Sequence, residues 1–200
     1  MRDDSIAAFL DQLAARVPAP GGGATAALHA AQAAALLAMV ARYSDGPRYD
    51  AELTGRIAAE ADALREDALA LAEEDIAAFG DVALAYQLPR DAEGRSAAIA
   101  TALAGATQPA ADVIRTALLT VRLAEELLPA GNRNLLTDVG AAAEAARAAA
   151  VSARLNIEVN LRGLGNPALQ AEFEETAAAA DGIAERADEI VAAVRAEIRR

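Results

Sequence analysis

One acidic residue stands where its helix calls for an apolar one. From about Asp50 to Tyr86 the chain carries the seam Ile57, Ala61, Leu64, Ala68, Leu71, Asp75, Ala78, Val82 and Ala85, in alternating steps of four and three. Glu60, Asp67, Glu74 and Asp81 form a solvated stripe at a seven-residue repeat. Asp75 therefore belongs to the inward set. A carboxylate placed there must find hydrogen bonds, find a cation or keep its proton. Each outcome moves its pKa, which is what a general acid or base requires. A purely structural polar network fits the same spacing, as does a marginal position if the helix rotates.

The second feature is Pro18-Ala19-Pro20-Gly21-Gly22-Gly23 with the uncharged run that follows it to Ala41. Two prolines fix an extended approach, three glycines leave backbone without Cβ atoms, and an Ala/Leu-rich helix begins. Bare amides at a helix N-terminus favour an anionic or carbonyl-bearing ligand. A tight turn feeding a buried helix is the plainer account.

Other polar residues are less distinctive. Thr137 and Asp138 stand at a helix start, where capping alone explains them. Ser152, Asn156 and Asn160 continue the Val139, Ala142, Ala146, Ala149 stripe. Two carboxamides on one inner face either satisfy buried helix ends, bridge a subunit interface or read a heterocycle with donor and acceptor edges. His29, lone and mid-helix, reads as a satisfied core histidine. Arg48, Arg90, Arg95 and Arg133 lie in or beside loops, where they either mark the entry of a carboxylate-bearing ligand or, more simply for any one of them, are solvated at the surface.

The elements that must position these groups are all helices. Hydrophobic residues make up 54% of the chain but aromatics only 3%, with Ala dominant. Alanine has the highest helix propensity and allows close helix–helix approach, and little of the chain alternates as strands do. We expect an all-α, single-domain bundle over 1–200, built of long antiparallel Ala-rich helices. Ser5 caps a first helix with Ile6, Phe9, Leu10, Leu13 and Val17 inward. The apolar helix runs from about Gly23 to Tyr43 and the seam helix follows. Gln87 to Arg90 breaks the chain, a shorter helix spans about Ala92 to Ala106, and Pro109 opens the next. Helices from about Thr137 to Leu164 and Ala168 to Ile198 complete the chain, with Gly163 to Pro167 a possible hinge.

A net charge of -12 repels phosphate backbones, so nucleic acid and anionic membranes are poor partners. Cysteine is absent and histidine occurs once, which excludes thiolate catalysis and any Cys-rich or multi-His metal site. Gly21 to Ala41 is long enough to span a membrane, but it contains Thr25, His29 and Gln32. The N-terminal residues lack the apolar core of a signal peptide. The expectation is a soluble cytoplasmic protein.

Taken in order, these stretches resemble the cyclodeaminase/cyclohydrolase family of folate enzymes. The resemblance rests on Ser5-Ile6 with Phe9-Leu10, Pro20-Gly21-Gly22-Gly23, Glu74-Asp75 with Ala78-Phe79, and Leu88-Pro89-Arg90. It continues through Gly131-Asn132, Asn134, Asp138-Val139-Gly140, Leu155-Asn156 and Asn160-Leu161. Ala24 stands where the family usually has Ser, with Thr25 beside it as a replacement hydroxyl. Pro47-Arg48 replaces a lysine-rich turn, and Arg133 and Glu158 stand where the family often has Pro and Arg.

The resemblance implies a homodimer that hydrolyses methenyltetrahydrofolate or cyclises formiminotetrahydrofolate with loss of ammonia. The folate is the substrate, with no metal and no permanently bound cofactor. It implies catalytic roles for Asp75 and Asp138. Substrate contacts would come from Gly21, Gly22, Gly23, Thr25, Asn132, Asn134, Asn156 and Asn160. A stand-alone chain without a transferase domain leans towards hydrolysis. An inactive folate-binding or structural helical dimer is the alternative.

Overall fold

The computed structural model describes residues 1–200. It is entirely helical: α1 (Ile6–Ala14), α2 (Gly22–Arg42), α3 (Ala51–Gln87), α4 (Arg95–Ala130), a 3-10 turn (Arg133–Leu135), α5 (Leu136–Leu161) and α6 (Pro167–Ile198).

Side-chain caps fix three of the six α-helix starts. Ser5 accepts the Ala8 amide at 3.1 Å. Asp50 accepts the amides of Glu52 and Leu53 at 3.0 and 3.1 Å. Asn166 accepts those of Ala168 and Leu169, with Pro167 in the first turn. α2, like α4 and α5, has no capping side chain: its N-cap is Gly21. The first amides of this largely buried helix must therefore be served from elsewhere.

Pro109 does not open a helix as its sequence context suggests. It lies inside α4, which runs unbroken through 36 residues. Proline removes one helical hydrogen bond, the one to the Gly105 carbonyl. Gly105 is exposed, so water can serve that oxygen, while the buried Pro109 ring packs into the core. Burial of the apolar face on both sides of Pro109 outweighs one lost bond.

The core is continuous and made largely of alanine, with α2 at its centre against α3, α4 and α5. Leu37, Ile57, Ile114, Ile157, Phe173 and Ile183 are its largest fully enclosed side chains. Of the α1 residues expected inward, Phe9 alone is buried. Ile6, Leu10 and the outlying Val17 are exposed, and Leu13 is half-buried. A nine-residue helix on the rim has no second element to cover its flanks. Beneath it lies a cavity of about 330 Å³, lined by Phe9, Leu13, Thr25, Leu28, His29 and Leu69 among others.

Candidate active site

The two sequence features meet. Arg42, at the C-terminal end of α2, pairs with Asp62 of α3, and Gly23, at the N-terminal end, lies against Asp75 of the same helix. The seam of α3 is buried at Ile57, Ala61, Leu64, Ala68 and Leu71, then turns half-buried at Asp75, Ala78 and Val82. Asp75 thus faces the end of α2 rather than its side. Glu60, Asp67, Glu74 and Asp81 are all exposed, as their repeat requires.

The contact is close. A Cβ placed on Gly23 would lie 2.7 Å from Oδ2 of Asp75, and nearer still to Oδ1 and Cγ. The carboxylate occupies the space that any other residue's side chain would fill. Burial pushes the Asp75 pKa up from the ordinary carboxylate range, and the backbone N–H of Ala24 acts against that rise. Asp75 supplies from α3 the negative group that the Gly21 N-cap cannot.

α5 closes a second side. Asn156 is half-buried; its Nδ2 donates to the Ser152 carbonyl at 3.3 Å. Its Oδ1 faces Gly22, where a Cβ would sit 3.9 Å away. Asn160, also half-buried, follows one turn later. The Ser152–Asn156–Asn160 stripe therefore runs along the rim of the core rather than inside it. Beside it lies an apolar stripe left exposed: Val151 at 42%, Leu155 at 62% and Val159 at 68%. On the other flank Arg154 pairs with Glu158 at 2.7 Å and Asp181 at 2.6 Å.

Not every expected residue gathers here. Gly22 and Gly23 do, with Asp75 and Asn156; Gly21 is the N-cap beside them, and Asn160 stands one turn further along α5, where its carbonyl accepts the Gly163 amide. Thr25 is one turn into α2, and its hydroxyl donates to the Gly21 carbonyl at 2.9 Å. It lines the cavity under α1, together with His29 and Gln32.

Asn132, Asn134 and Asp138 lie at the opposite end. Asn132 Nδ2 donates to the Tyr43 carbonyl at 3.0 Å, its backbone N–H to Ser44 Oγ at 2.8 Å, and its Oδ1 accepts the Asn134 amide at 3.1 Å. Tyr43 follows the last residue of α2, a helix of 21 residues and hence about 30 Å long. Asp138 is in the first turn of α5, eighteen residues before Asn156 and so about 27 Å from it along the axis. Within one chain these three do not reach Asp75. Asp138 sits where a helix dipole favours an acidic residue.

Three of the four loop arginines have partners of their own. Arg95 donates to the carbonyls of Leu88 and Tyr86 at 3.0 and 3.2 Å, which closes the end of α3. Arg133 pairs with Glu197, and Arg48 lies over the Tyr49 ring.

Sequence reasoning missed the Ala24 amide as a partner of Asp75, and Gly23 as the residue that admits it. The available signal was complementary: a helix start with no capping side chain, and one carboxylate with no apolar reason to be where it is.

What the site can do follows from these groups. A half-buried carboxylate of raised pKa keeps its proton to higher pH than an exposed one, which suits it to proton transfer. It also offsets positive charge that develops beside it. The Asn156 carboxamide adds an acceptor close by.

Comparisons with known proteins agree on one family. Residues 5–179 match the family model described as formiminotransferase-cyclodeaminase. A methenyltetrahydrofolate cyclohydrolase from Methylorubrum extorquens is 34% identical over 177 residues, covering 85% of each chain. The formimidoyltransferase-cyclodeaminase of Rattus norvegicus is 30% identical over 169 residues; the match covers 81% of this chain and 31% of that longer protein. A formiminotetrahydrofolate cyclodeaminase from Thermotoga maritima superposes with a TM-score of 0.85. It is 28% identical and is matched over 96% of this chain and 98% of its own.

Proposed function

The chain belongs to the formiminotransferase-cyclodeaminase family, and from that premise we propose how its site handles a one-carbon tetrahydrofolate. Its activity lies in folate one-carbon metabolism, as methenyltetrahydrofolate cyclohydrolase or formiminotetrahydrofolate cyclodeaminase. We assign hydrolysis as its main reaction, because the cyclohydrolase relative aligns over most of both chains. The superposition on a cyclodeaminase supports cyclising deamination as the second reading.

The observation that carries the mechanism is Asp75, pressed against the first turn of α2 with a raised pKa. The methenyl carbon lies between two nitrogens that share a positive charge, so it is electrophilic without a metal. Asp75 takes a proton from the water that adds to this carbon, giving a neutral tetrahedral adduct. It returns that proton to the nitrogen that leaves as the carbon–nitrogen bond breaks. The hydroxyl proton goes to solvent, and formyltetrahydrofolate remains. While the substrate is still cationic, the carboxylate also offsets its charge. Asn156 and Asn160 pair with the pterin edge.

In the deaminase direction the folate nitrogen that does not already carry the formimino group attacks its carbon, and ammonia leaves. The same carboxylate carries the proton to the departing amine.

The folate is substrate rather than resident cofactor. The chain acts as one helical domain over 1–200 with helices packed antiparallel, a reading supported by the continuous core. The exposed stripe of Val151, Leu155 and Val159 beside Asn156 supports a homodimer that covers it. α2 is long and apolar enough to cross a membrane, but 61% of its most apolar window is buried within the bundle. That burial and the acidic surface support a soluble, cytoplasmic protein with no nucleic-acid partner.

Parallel rate measurements on the two substrates test the assignment. Faster loss of the methenyl absorbance than its formation from formiminotetrahydrofolate is the expected result. The reverse ratio would make the protein a cyclodeaminase, and turnover of neither would leave a binding or structural dimer.

A further inference from the structure

We propose that Gly23 is a positioning residue for Asp75 rather than a contact for the substrate. The inference rests on the reading of Asp75 as the proton-transferring group.

Three glycines in a row before a helix suggest a cradle for a ligand, yet the three differ. A Cβ on Gly21 meets nothing within 4 Å, and one on Gly22 only reaches ordinary contact with Asn156. At Gly23 the Cβ would fall inside the Asp75 carboxylate, 2.7 Å from Oδ2 with Oδ1 and Cγ closer still. Gly23 is itself buried, so its backbone is not open to a ligand. It lies within α2, at an ordinary helical φ, and so needs no left-handed conformation. Nothing about the local backbone demands glycine there, and intrinsic propensity favours alanine. The three atoms that a Cβ here would meet first all belong to the neighbouring carboxylate.

The consequence is positional. With hydrogen alone on its Cα, Gly23 lets Asp75 settle against the α2 terminus within reach of the Ala24 N–H. A methyl group would push the carboxylate outward, towards water and away from that amide.

The test compares Gly23→Ala, Asp75→Asn, the double variant, and Gly182→Ala in α6 as a control for adding a methyl to a helix in open space. We expect Gly23→Ala to lower kcat at least tenfold with a smaller change in KM. The acid limb of its kcat/KM profile should move to lower pH, since the displaced carboxyl is better hydrated. The double variant should be no slower than Asp75→Asn, because Gly23 acts through Asp75. An unchanged kcat and acid limb in Gly23→Ala would overturn the proposal, as would a double variant slower than Asp75→Asn.

A stability comparison needs no turnover and so separates this proposal from the assigned reaction. Once Asp75→Ala has removed the carboxylate, adding Gly23→Ala should leave Tm equal or higher. A lower Tm in that background contradicts the contact. This holds whether or not the single Gly23→Ala variant folds.

Discussion

The carboxylate of Asp75 on α3 fills the space that a side chain on Gly23 would take, at the start of α2, where no N-cap side chain stands. This placement couples the site to the fold, and it has a cost. Burial holds the Asp75 pKa above its unfolded value, so the native state prefers the protonated form. That contribution is complete below the unfolded pKa and is lost as pH rises through the folded one. At neutral pH the ionised carboxylate opposes folding. Asp75→Asn should therefore melt higher than the wild type at about pH 7.5, with the gap closing as pH falls through the carboxyl range. Thermal melts across pH check this; a variant less stable at neutral pH would mean that the amide contact outweighs burial.

Asn132 makes two side-chain hydrogen bonds, to the Tyr43 carbonyl and from the Asn134 amide, where α2 ends beside the turn into α5. Asn132→Ala should cost about 1–3 kcal/mol. Asn134 offers its backbone alone to this network, so Asn134→Ala should stay within about 0.5 kcal/mol. Urea titrations of the two variants separate the cases, and equal losses would contradict the division.

A core of alanine has little room to grow. Ala146 is fully buried in α5 against its neighbours. Ala146→Leu should lose about 1–3 kcal/mol through overpacking. Phe173 in α6 is 2% exposed, and Phe173→Ala should lose about 3–5 kcal/mol through the cavity it leaves. Chemical denaturation reads both, and a neutral Ala146→Leu would mean that the helices separate easily.

Glu125 of α4 and Arg186 of α6 form a two-pronged pair, with one N–O distance of 2.6 Å. The guanidinium's hydrogen bonds hold the Glu125 pKa below the usual range despite partial burial. Stability from this pair is present above the unfolded carboxyl pKa and lost as pH falls through the folded one. Both side chains are about one-third exposed, so Arg186→Ala should cost only about 0.5–1 kcal/mol at pH 7. The difference from wild type should vanish once pH has fallen below the folded carboxyl pKa. A gap that persists in acid would point to lost packing of the arginine stem instead.

How far the sequence alone could lead is clear from particular residues. The class of fold followed from alanine content and spacing, and the caps at Ser5, Asp50 and Asn166 act as their residue types suggest. Asp75 stood out because a single polar residue interrupts a seam. Pro109 misled, because its local cost is one hydrogen bond while the burial that carries α4 past it comes from other helices. Phe9 was legible as an anchor, but the exposure of Ile6 and Leu10 was not, since nothing in α1 tells how much of the bundle lies over it. Gly23 carried no sign of its partner, which is distant in sequence. Asn132, Asn134 and Asp138 joined the site through family resemblance, and the fold sets them about 30 Å from Asp75 within one chain.

The most direct test of the account is the fall in near-ultraviolet absorbance of methenyltetrahydrofolate mixed with wild-type protein, with Asp75→Asn and with a no-enzyme blank. The account predicts loss well above the blank for the wild type. For Asp75→Asn it predicts a rate at least a hundredfold lower, about the contribution of one general acid–base group, in a protein that still binds the folate. Wild-type turnover retained by Asp75→Asn would contradict it.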